Sequence, residues 1–153
     1  MFSNKENKFV RGVGWISRSV VSIVMIIHNE HVLCVKRGEN VTQTGKWCMP
    51  CGYLDYDETI EECAYREVYE ETGLYLIDVE EIELMEINSD PSSSKKQNIH
   101  FHYRMFASEE YSVDVSKVDQ GEVIAIEWVH KNDLDKYDFA FNHDTRIAEQ
   151  FGI

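Results

Sequence analysis

The sequence predicts an α/β fold in which helices cover a mixed β-sheet. Runs rich in Val and Ile recur along the chain at lengths typical of strands, and two segments have the spacing of apolar residues that helices show. These strand-like runs are interspersed with the two helical segments instead of being grouped apart. That order indicates one mixed sheet with helical cover.

The first strands are predicted to form a hairpin. Residues 20–28 are rich in Val and Ile, Asn29 and Glu30 offer a turn, and residues 31–36 return as a second strand. The remaining predicted segments are a loop at 37–45, a short strand at 46–49, a loop at 50–57, strands at 76–87, 98–107 and 122–129, a turn-rich loop at 88–97, a helical turn at 132–137 and a terminal helix at 142–151. Asn142 is predicted to cap the terminal helix.

The clearest helix covers residues 58–72, which lack Pro and Gly. At about 100° per residue, one side of this helix collects the residues that we expect to be buried, namely Ala64, Tyr65, Val68 and Thr72. Gly73 follows, and glycine commonly stands just past the end of a helix.

Length and composition predict one soluble domain. The chain has 153 residues, of which 43% are hydrophobic and 12% aromatic, enough for a packed core. Residues 1–17 are predicted to be an N-terminal extension, and no apolar run is long enough for a membrane span or an export signal. We therefore expect a cytoplasmic protein with its four cysteines reduced.

The charge of the chain limits its partners. Acidic residues outnumber basic ones by 28 to 15, which gives a net charge of −13 and argues against duplex nucleic acid. A small phosphorylated substrate remains compatible with this charge, since bound divalent cations reverse the local field. The oligomeric state is left open, with a homodimer as one alternative.

Three glutamates lie at helical spacing near the end of the predicted helix. Glu67, Glu70 and Glu71 differ by three and four positions, so their carboxylates emerge from one face. Their mutual repulsion would weaken the helix unless a hard cation binds, and Mg²⁺ takes carboxylate oxygens. Such an ion polarises a phosphoryl group and lowers the pKa of a bound water, while a nearby glutamate takes the proton.

Neighbouring residues suggest how this cluster is organised. Arg66 is predicted to pair with Glu58 or Glu67 and to orient that carboxylate with its planar guanidinium. Gly52 is expected to permit an unusual loop conformation and a close approach of the backbone. The carbonyl of Cys51 could then add an oxygen ligand for the metal.

The stretch from Gly52 to Leu74 resembles the signature of the Nudix (MutT-like) hydrolase superfamily, G-x5-E-x7-R-E-U-x-E-E-x-G-U, in which U is aliphatic. Every fixed position matches: Gly52, Glu58, Arg66, Glu67, Val68, Glu70, Glu71, Gly73 and Leu74. The resemblance implies a Nudix-type α/β/α sandwich and Mg²⁺- or Mn²⁺-dependent hydrolysis of a nucleoside diphosphate derivative. It also implies that Glu67, Glu70 and Glu71 bind the metal and that Glu67 is the leading general base. Many relatives carry a further acidic ligand on a later strand, and Glu122 fits that place. The sequence departs at Cys51, where many relatives have a second glycine.

The substrate is less constrained than the reaction. Pro91 follows Leu74 by 17 residues, a feature similar to relatives that act on ADP-ribose or nucleotide sugars. Hydrolysis of ADP-ribose or a nucleotide sugar is therefore the favoured activity, and a MutT-like nucleoside triphosphate pyrophosphohydrolase is the alternative. Candidate substrate-binding residues are Arg37 and Arg104 for phosphates, Trp47 for stacking on a base, and Asn142, which resembles a purine-reading asparagine of MutT-like enzymes.

Two other classes of function compete with hydrolysis. A Nudix-like domain could bind and sense a nucleotide without cleaving it. Such regulators usually have a degraded motif, whereas every fixed position of the signature is present in this chain. Cys48 and Cys51 form a C-x-P-C sequence, which suggests thiol–disulfide exchange or a structural zinc site. Redox chemistry favours the first cysteine at a helix N-terminus, and here a loop is predicted instead.

Overall fold

The computed structural model describes residues 18–91 and 97–153, so the predicted N-terminal extension at 1–17 lies outside the described residues. The strands are β1 Val20–His28, β2 His31–Arg37, β3 Trp47–Cys48, β4 Cys51–Tyr53, β5 Ile82–Asn88, β6 Ile99–Phe106 and β7 Val123–His130. The helices are α1 Ile60–Thr72 and α2 His143–Phe151, with short 3-10 helices at Val115–Lys117 and Lys131–Lys136. The predicted hairpin, both helices and the helical turn near residue 132 are confirmed.

The sheet is mixed, as predicted. Its main order is β3-β2-β1-β6-β5, with β7 paired to β2 and β4 paired to β1. β1 and β6 run parallel over their whole length, whereas the other pairs are antiparallel. β1 meets β2 only at its end and meets β4 near its beginning, so one edge of β1 is shared between two partners.

The two helices cover opposite faces of the sheet. Ala64 and Val68 of α1 pack in one core cluster with Val24, Ile26 and other apolar residues of the sheet. Ile147 of α2 packs in a second cluster, and the residues that β1 contributes to it lie on the alternate positions of that strand. Period-two alternation along β1 therefore supplies both cores, which gives the α/β/α sandwich.

Helix α1 begins two residues later than predicted. Thr59 is its N-cap and forms a capping box with Glu62, since each side chain accepts a hydrogen bond from the other residue's backbone N–H. The helix ends as predicted at Gly73, whose φ of 76° is left-handed. Of the residues predicted to be buried, Ala64, Val68 and Thr72 are buried and Tyr65 is partly buried, while Cys63 is a buried position that the pattern missed.

Three predictions of local structure are wrong. β5 begins at Ile82 and not at residue 76, because the preceding residues form a turn held by backbone hydrogen bonds to the carbonyl of Leu76. The predicted loop at 50–57 contains β4, which gains its strand character by pairing with β1. Asn142 stands at the N-cap of α2, but it is left-handed (φ 56°) and its side chain makes no capping bond. Among the described residues, no helix is both long and apolar enough to cross a membrane.

Candidate functional site

Arg66 of α1 links the loop before the helix to the carboxylates of the signature segment, residues 52–74. Its Nε and Nη2 bind the two carboxylate oxygens of Glu58 at 2.9 and 2.7 Å, and its Nη1 binds Glu67 at 2.7 Å and Glu70 at 3.0 Å. Nη2 also donates to the carbonyl of Tyr53. The structure thus joins Arg66 to both of the partners that we considered, and it ties the preceding loop to the helix.

Glu58 is fixed as a carboxylate by this network. The bidentate hydrogen bonds from Arg66 lower the pKa of Glu58, and the backbone N–H of Asp55 adds a third donor at 2.8 Å. Asp55 itself approaches Arg66 at 3.7 Å. Glu58 therefore acts on the loop through Arg66 and Asp55, and it holds both in place.

Glu67 is a largely buried carboxylate of the cluster. Its side chain is 12% exposed, and burial raises its pKa to about 7, although Arg66 opposes this shift. Repulsion from Glu70 and Glu122 adds to the rise. A Cβ at Gly52 would collide with the Glu67 carboxylate, so the close backbone approach predicted for this glycine is present. The φ of Gly52 is not positive, so the unusual backbone conformation expected there is absent. Glycine is needed at this position only because a side chain would not fit beside Glu67.

Glu71 reaches from the end of α1 to β4. It accepts a hydrogen bond of 3.0 Å from the backbone N–H of Cys51. Burial raises the pKa of the Glu71 carboxyl, and the neighbouring Cys48 and Glu67 raise it further. This contact brings Glu71 to Cys51, whose neighbour Gly52 lies against Glu67.

Glu122 joins the cluster from the loop before β7. Burial raises its pKa, and repulsion from Asp119 and Glu70 contributes, which places Glu122 within electrostatic reach of the helix. The backbone N–H of Gly38 donates to the Glu122 carbonyl at 2.7 Å. A Cβ on Gly38 would collide with the carbonyl of Gly121, so the two loops touch backbone to backbone.

The carboxylates suit a hard divalent cation in chemistry, but they are not arranged as ligands. In residues 18–91 and 97–153, no three His, Cys, Asp or Glu side chains are grouped so that they could hold a metal ion. One reason for this arrangement is that Nη1 of Arg66 binds the carboxylates of both Glu67 and Glu70. The mutual repulsion that raises the pKa of Glu67 and Glu122 is what a bound cation would relieve.

Among the predicted substrate-binding residues, Arg37 lies near this cluster, and Asn142 follows a residue that Arg37 contacts. Arg37 influences the pKa of both Glu71 and Glu122, and its guanidinium lies 4.8 Å from the ring centroid of Phe141. It also donates to Thr42 within its own loop. Asn142 follows Phe141 and is exposed, so its amide is free of a capping role.

The other two lie elsewhere. Trp47 is 8% exposed in the α2-side core and packs edge-on against Tyr137, with ring centroids 5.2 Å apart. Arg104 lies on β6, where it binds Glu83 and Gln150. The structure does not bring either of them to the glutamate cluster by any contact in its described part.

The cysteine pair is not placed as in a thiol–disulfide exchange site. Cys48 ends β3 and Cys51 begins β4, so neither stands at a helix N-terminus. The four thiols at positions 34, 48, 51 and 63 are free, and Cys48 is fully buried. Burial raises the pKa of Cys63 to about 12, which makes it unreactive at neutral pH.

Sequence reasoning missed His143, which connects α2 to the turn between β3 and β4. Its Nδ1 accepts a hydrogen bond of 3.0 Å from the backbone N–H of Met49. Burial lowers the pKa of His143 to about 3, so the imidazole is neutral. Its position inside the predicted helix gave no signal, because the partner is 94 residues away in the chain.

Comparison with known proteins agrees with this architecture. Residues 17–150 match the model of the NUDIX domain family. Putative nudix hydrolase 1 of Caenorhabditis elegans is 32% identical over 118 residues, which cover 74% of this chain and 29% of that protein. The chain thus spans less than a third of this curated relative's length.

Two solved structures share the fold. The NUDIX domain of Shewanella oneidensis NrtR, complexed with ADP ribose, has a TM-score of 0.75 at 19% identity, covering 90% of this chain and 89% of that one. The bifunctional NMN adenylyltransferase/ADP ribose pyrophosphatase of Francisella tularensis, complexed with AMP and a Mn ion, has a TM-score of 0.67 at 20% identity, covering 89% and 42%. With the signature intact and the family model matched over most of its length, this chain belongs to the Nudix family.

Proposed function

We propose that this chain hydrolyses the pyrophosphate bond of a nucleoside diphosphate derivative, with Mg²⁺ or Mn²⁺ as cofactor. The observation that carries the proposal is the arrangement of the signature glutamates, in which Arg66 fixes Glu67 and Glu70, Glu67 lies against Gly52, and Glu71 binds the N–H of Cys51. These carboxylates would hold the metal, and Glu122 would be a further ligand. A bound ion would polarise the phosphoryl group and lower the pKa of the attacking water.

Glu67 would act as the general base. Burial raises its pKa to about 7 when no cation is bound, and a cation would lower it again, so the carboxylate would be ionised and able to accept the proton of the attacking water. Arg66 fixes one Glu67 oxygen by a hydrogen bond of 2.7 Å, and Gly52 leaves room for the carboxylate against β4. Glu58 and Arg66 would be positioning residues, since Glu58 reaches the cluster only through the guanidinium.

ADP-ribose is the first substrate to test. The two solved relatives described above carry ADP ribose or AMP, and this chain shares their fold. Pro91 of the loop after β5 adds the sequence resemblance to enzymes that act on ADP-ribose or nucleotide sugars. Nucleotide sugars, NADH, dinucleoside polyphosphates and modified deoxynucleoside triphosphates complete the panel.

The decisive experiment compares Glu67→Gln with Glu110→Gln in hydrolysis of this panel with Mg²⁺ or Mn²⁺. Glu110 is exposed and distant in the chain from the signature, so it controls for loss of one negative charge. We expect Glu67→Gln to lower kcat by about a hundredfold or more while the fold is kept, and Glu110→Gln to behave as wild type. An unimpaired Glu67→Gln enzyme would remove Glu67 from the mechanism. Stoichiometric nucleotide binding without turnover by the wild type would indicate a sensor module instead.

A further inference from the structure

Phe141 has a backbone conformation that is unusual for a bulky residue. Its φ of 59° is left-handed, and Asn142 follows with a φ of 56°. Asparagine tolerates this conformation, whereas a large side chain adopts it rarely and at a cost in free energy. The side chain of Phe141 is nevertheless 47% exposed, so burial in the core does not explain why it stands there. A strained and exposed aromatic residue points to a role outside core packing.

The strained turn is fixed from both sides. Before it, Trp47 of β3 donates its N–H to the carbonyl of Asp138 and accepts the N–H of Ala140, both at 2.8 Å. After it, Nδ1 of His143 accepts the N–H of Met49 at 3.0 Å. Ala140 and His143 are both buried, so the change of direction is confined to the two residues between them.

The ring of Phe141 lies against Arg37. The central carbon of the guanidinium is 4.8 Å from the ring centroid, which is the distance of a cation–π contact. Nε and Nη2 of Arg37 donate to Thr42, and Nη1 lies 3.7 Å from the sulfur of Cys48. These contacts use three of the five guanidinium N–H groups, so two remain for a ligand.

The charge of Arg37 is available beside the glutamate cluster. Within the described part of the chain, Arg37 forms no ion pair with a carboxylate, whereas Arg66 is engaged by four. The charge of Arg37 still opposes the rise in the pKa of Glu71 and of Glu122, so it stands near both. A guanidinium in this situation suits phosphate oxygens, which it can bind with two N–H groups at once.

We propose that Phe141 is a positioning residue, whose ring holds the guanidinium of Arg37 in the orientation that binds the diphosphate of the substrate. The inference rests on the proposed function for the identity of the ligand as a diphosphate. A guanidinium stacked on an aromatic face has little freedom left to lose when it binds phosphate. The left-handed turn is needed because it directs the ring toward Arg37.

The test is isothermal titration with methylene diphosphonate, a diphosphate analogue that carries no base and resists hydrolysis, in the presence of Mn²⁺. Phe141→Leu removes the aromatic face, and Phe141→Tyr keeps it. We expect Phe141→Leu to weaken binding by about fivefold, which corresponds to one exposed cation–π contact, and Phe141→Tyr to bind like the wild type. Phe106→Leu is the matched control, because the Arg104 guanidinium lies 4.9 Å from that ring on β6. It should bind methylene diphosphonate like the wild type.

A double-mutant cycle tests whether the ring acts through Arg37. Arg37→Gln should weaken binding by more than about tenfold, because a charged phosphate contact is lost. Phe141→Leu should have no further effect in the Arg37→Gln protein, since the guanidinium that the ring holds is gone. A fivefold loss that persists without Arg37 would overturn the proposal, because a general structural effect of Phe141 would behave in that way.

Other outcomes would also overturn the proposal. One is equal affinity for methylene diphosphonate in the wild type and Phe141→Leu, and another is an equal loss in Phe106→Leu. A loss of AMP affinity with unchanged affinity for methylene diphosphonate would mean that the ring contacts the base instead. If Phe141→Leu fails to fold, Phe141→Asn replaces it, because asparagine tolerates the left-handed backbone. Wild-type affinity in Phe141→Asn would then refute the role of the ring.

This inference and the proposed function fail in different ways. Binding of methylene diphosphonate that depends on Phe141 through Arg37, in a protein that hydrolyses nothing in the panel, would support the inference and reject only the hydrolase. Hydrolysis of ADP-ribose with the same kcat and KM in the wild type and Phe141→Leu would support the hydrolase and reject the inference.

Discussion

Acid should destabilise this protein through His143. In the folded chain this imidazole is buried, accepts the N–H of Met49, and has a pKa lowered from 6.5 to about 3. The unfolded chain takes up a proton as the pH falls below 6.5, whereas the folded chain does not. The contribution of His143 to stability is therefore fully present above pH 6.5 and is lost progressively as the pH falls toward 3.

The magnitude follows from the two pKa values. Between pH 7.5 and pH 5.0, the difference in proton uptake by this one residue corresponds to about 2 kcal/mol in the free energy of unfolding. Urea denaturation at the two pH values, followed by circular dichroism, measures the sum over all titrating groups, including Glu67, whose raised pKa acts in the opposite direction.

A substitution isolates the contribution of His143 from those of the other titrating groups. His143→Asn removes the titration but can keep an acceptor for the Met49 N–H, although it leaves a cavity and lowers stability at both pH values. We expect the wild type to lose about 2 kcal/mol more than the variant between pH 7.5 and pH 5.0. Identical losses in both proteins would refute the assignment of a neutral, hydrogen-bonded imidazole.

Three further predictions concern the signature segment. Because the pKa of Glu67 is raised to about 7, Mn²⁺ binding should release a proton, and the affinity for Mn²⁺ should fall by up to about tenfold per pH unit below 7. Calorimetry in buffers of different ionisation enthalpy would detect the released proton, and heats that do not depend on the buffer would contradict this prediction. Gly52→Ala places a methyl group against the Glu67 carboxylate, so it should destabilise the fold by about 1–3 kcal/mol and weaken Mn²⁺ binding. Urea denaturation measures the loss, and unchanged stability would contradict the close approach of Glu67 to this glycine. Thr59→Ala removes the capping box of α1 and should cost about 1 kcal/mol, while Thr59→Ser should cost little; equal stability of the two variants would argue against the cap.

Helix α1 could be predicted well because its signals are local. The spacing of Ala64, Val68 and Thr72 identified the buried face, and Gly73 identified the end. Thr59 and Glu62 stand three residues apart, which is the spacing of a capping box, so the first residue was also encoded in the sequence. The pairing of Arg66 with its neighbours follows from the same helical geometry.

The remaining errors come from tertiary contacts that no local pattern contains. Ile77 and Val79 have strand-forming side chains, yet they are exposed in a turn because the adjacent acidic residues and the bonds to Leu76 favour it. β4 is a strand only because β1 offers it an edge. Trp47 was considered for stacking on a base, but its ring fills the core under α2, where its size contributes to packing.

The cluster around Glu67 could be predicted only in part. The signature places three glutamates and one arginine on adjacent turns, but the approach of Glu122 to Glu70 depends on a loop brought in by β7. A cavity lined by residues that include Met25, Met85, His102 and Arg146 is built from β1, β5, β6 and α2 together, so its existence is a property of the assembled sandwich.

The backbone contact between Gly38 and Gly121 makes two distant loops into a single mechanical unit. A side chain at Gly38 would collide with the carbonyl of Gly121, and the N–H of Gly38 donates to the Glu122 carbonyl, so the loops cannot slide past one another without breaking that hydrogen bond. Any movement that draws Glu122 inward must therefore carry the start of the Arg37 loop with it. The carboxylate of Glu122 and the guanidinium of Arg37 are in this way tied to each other through the backbones of the two loops.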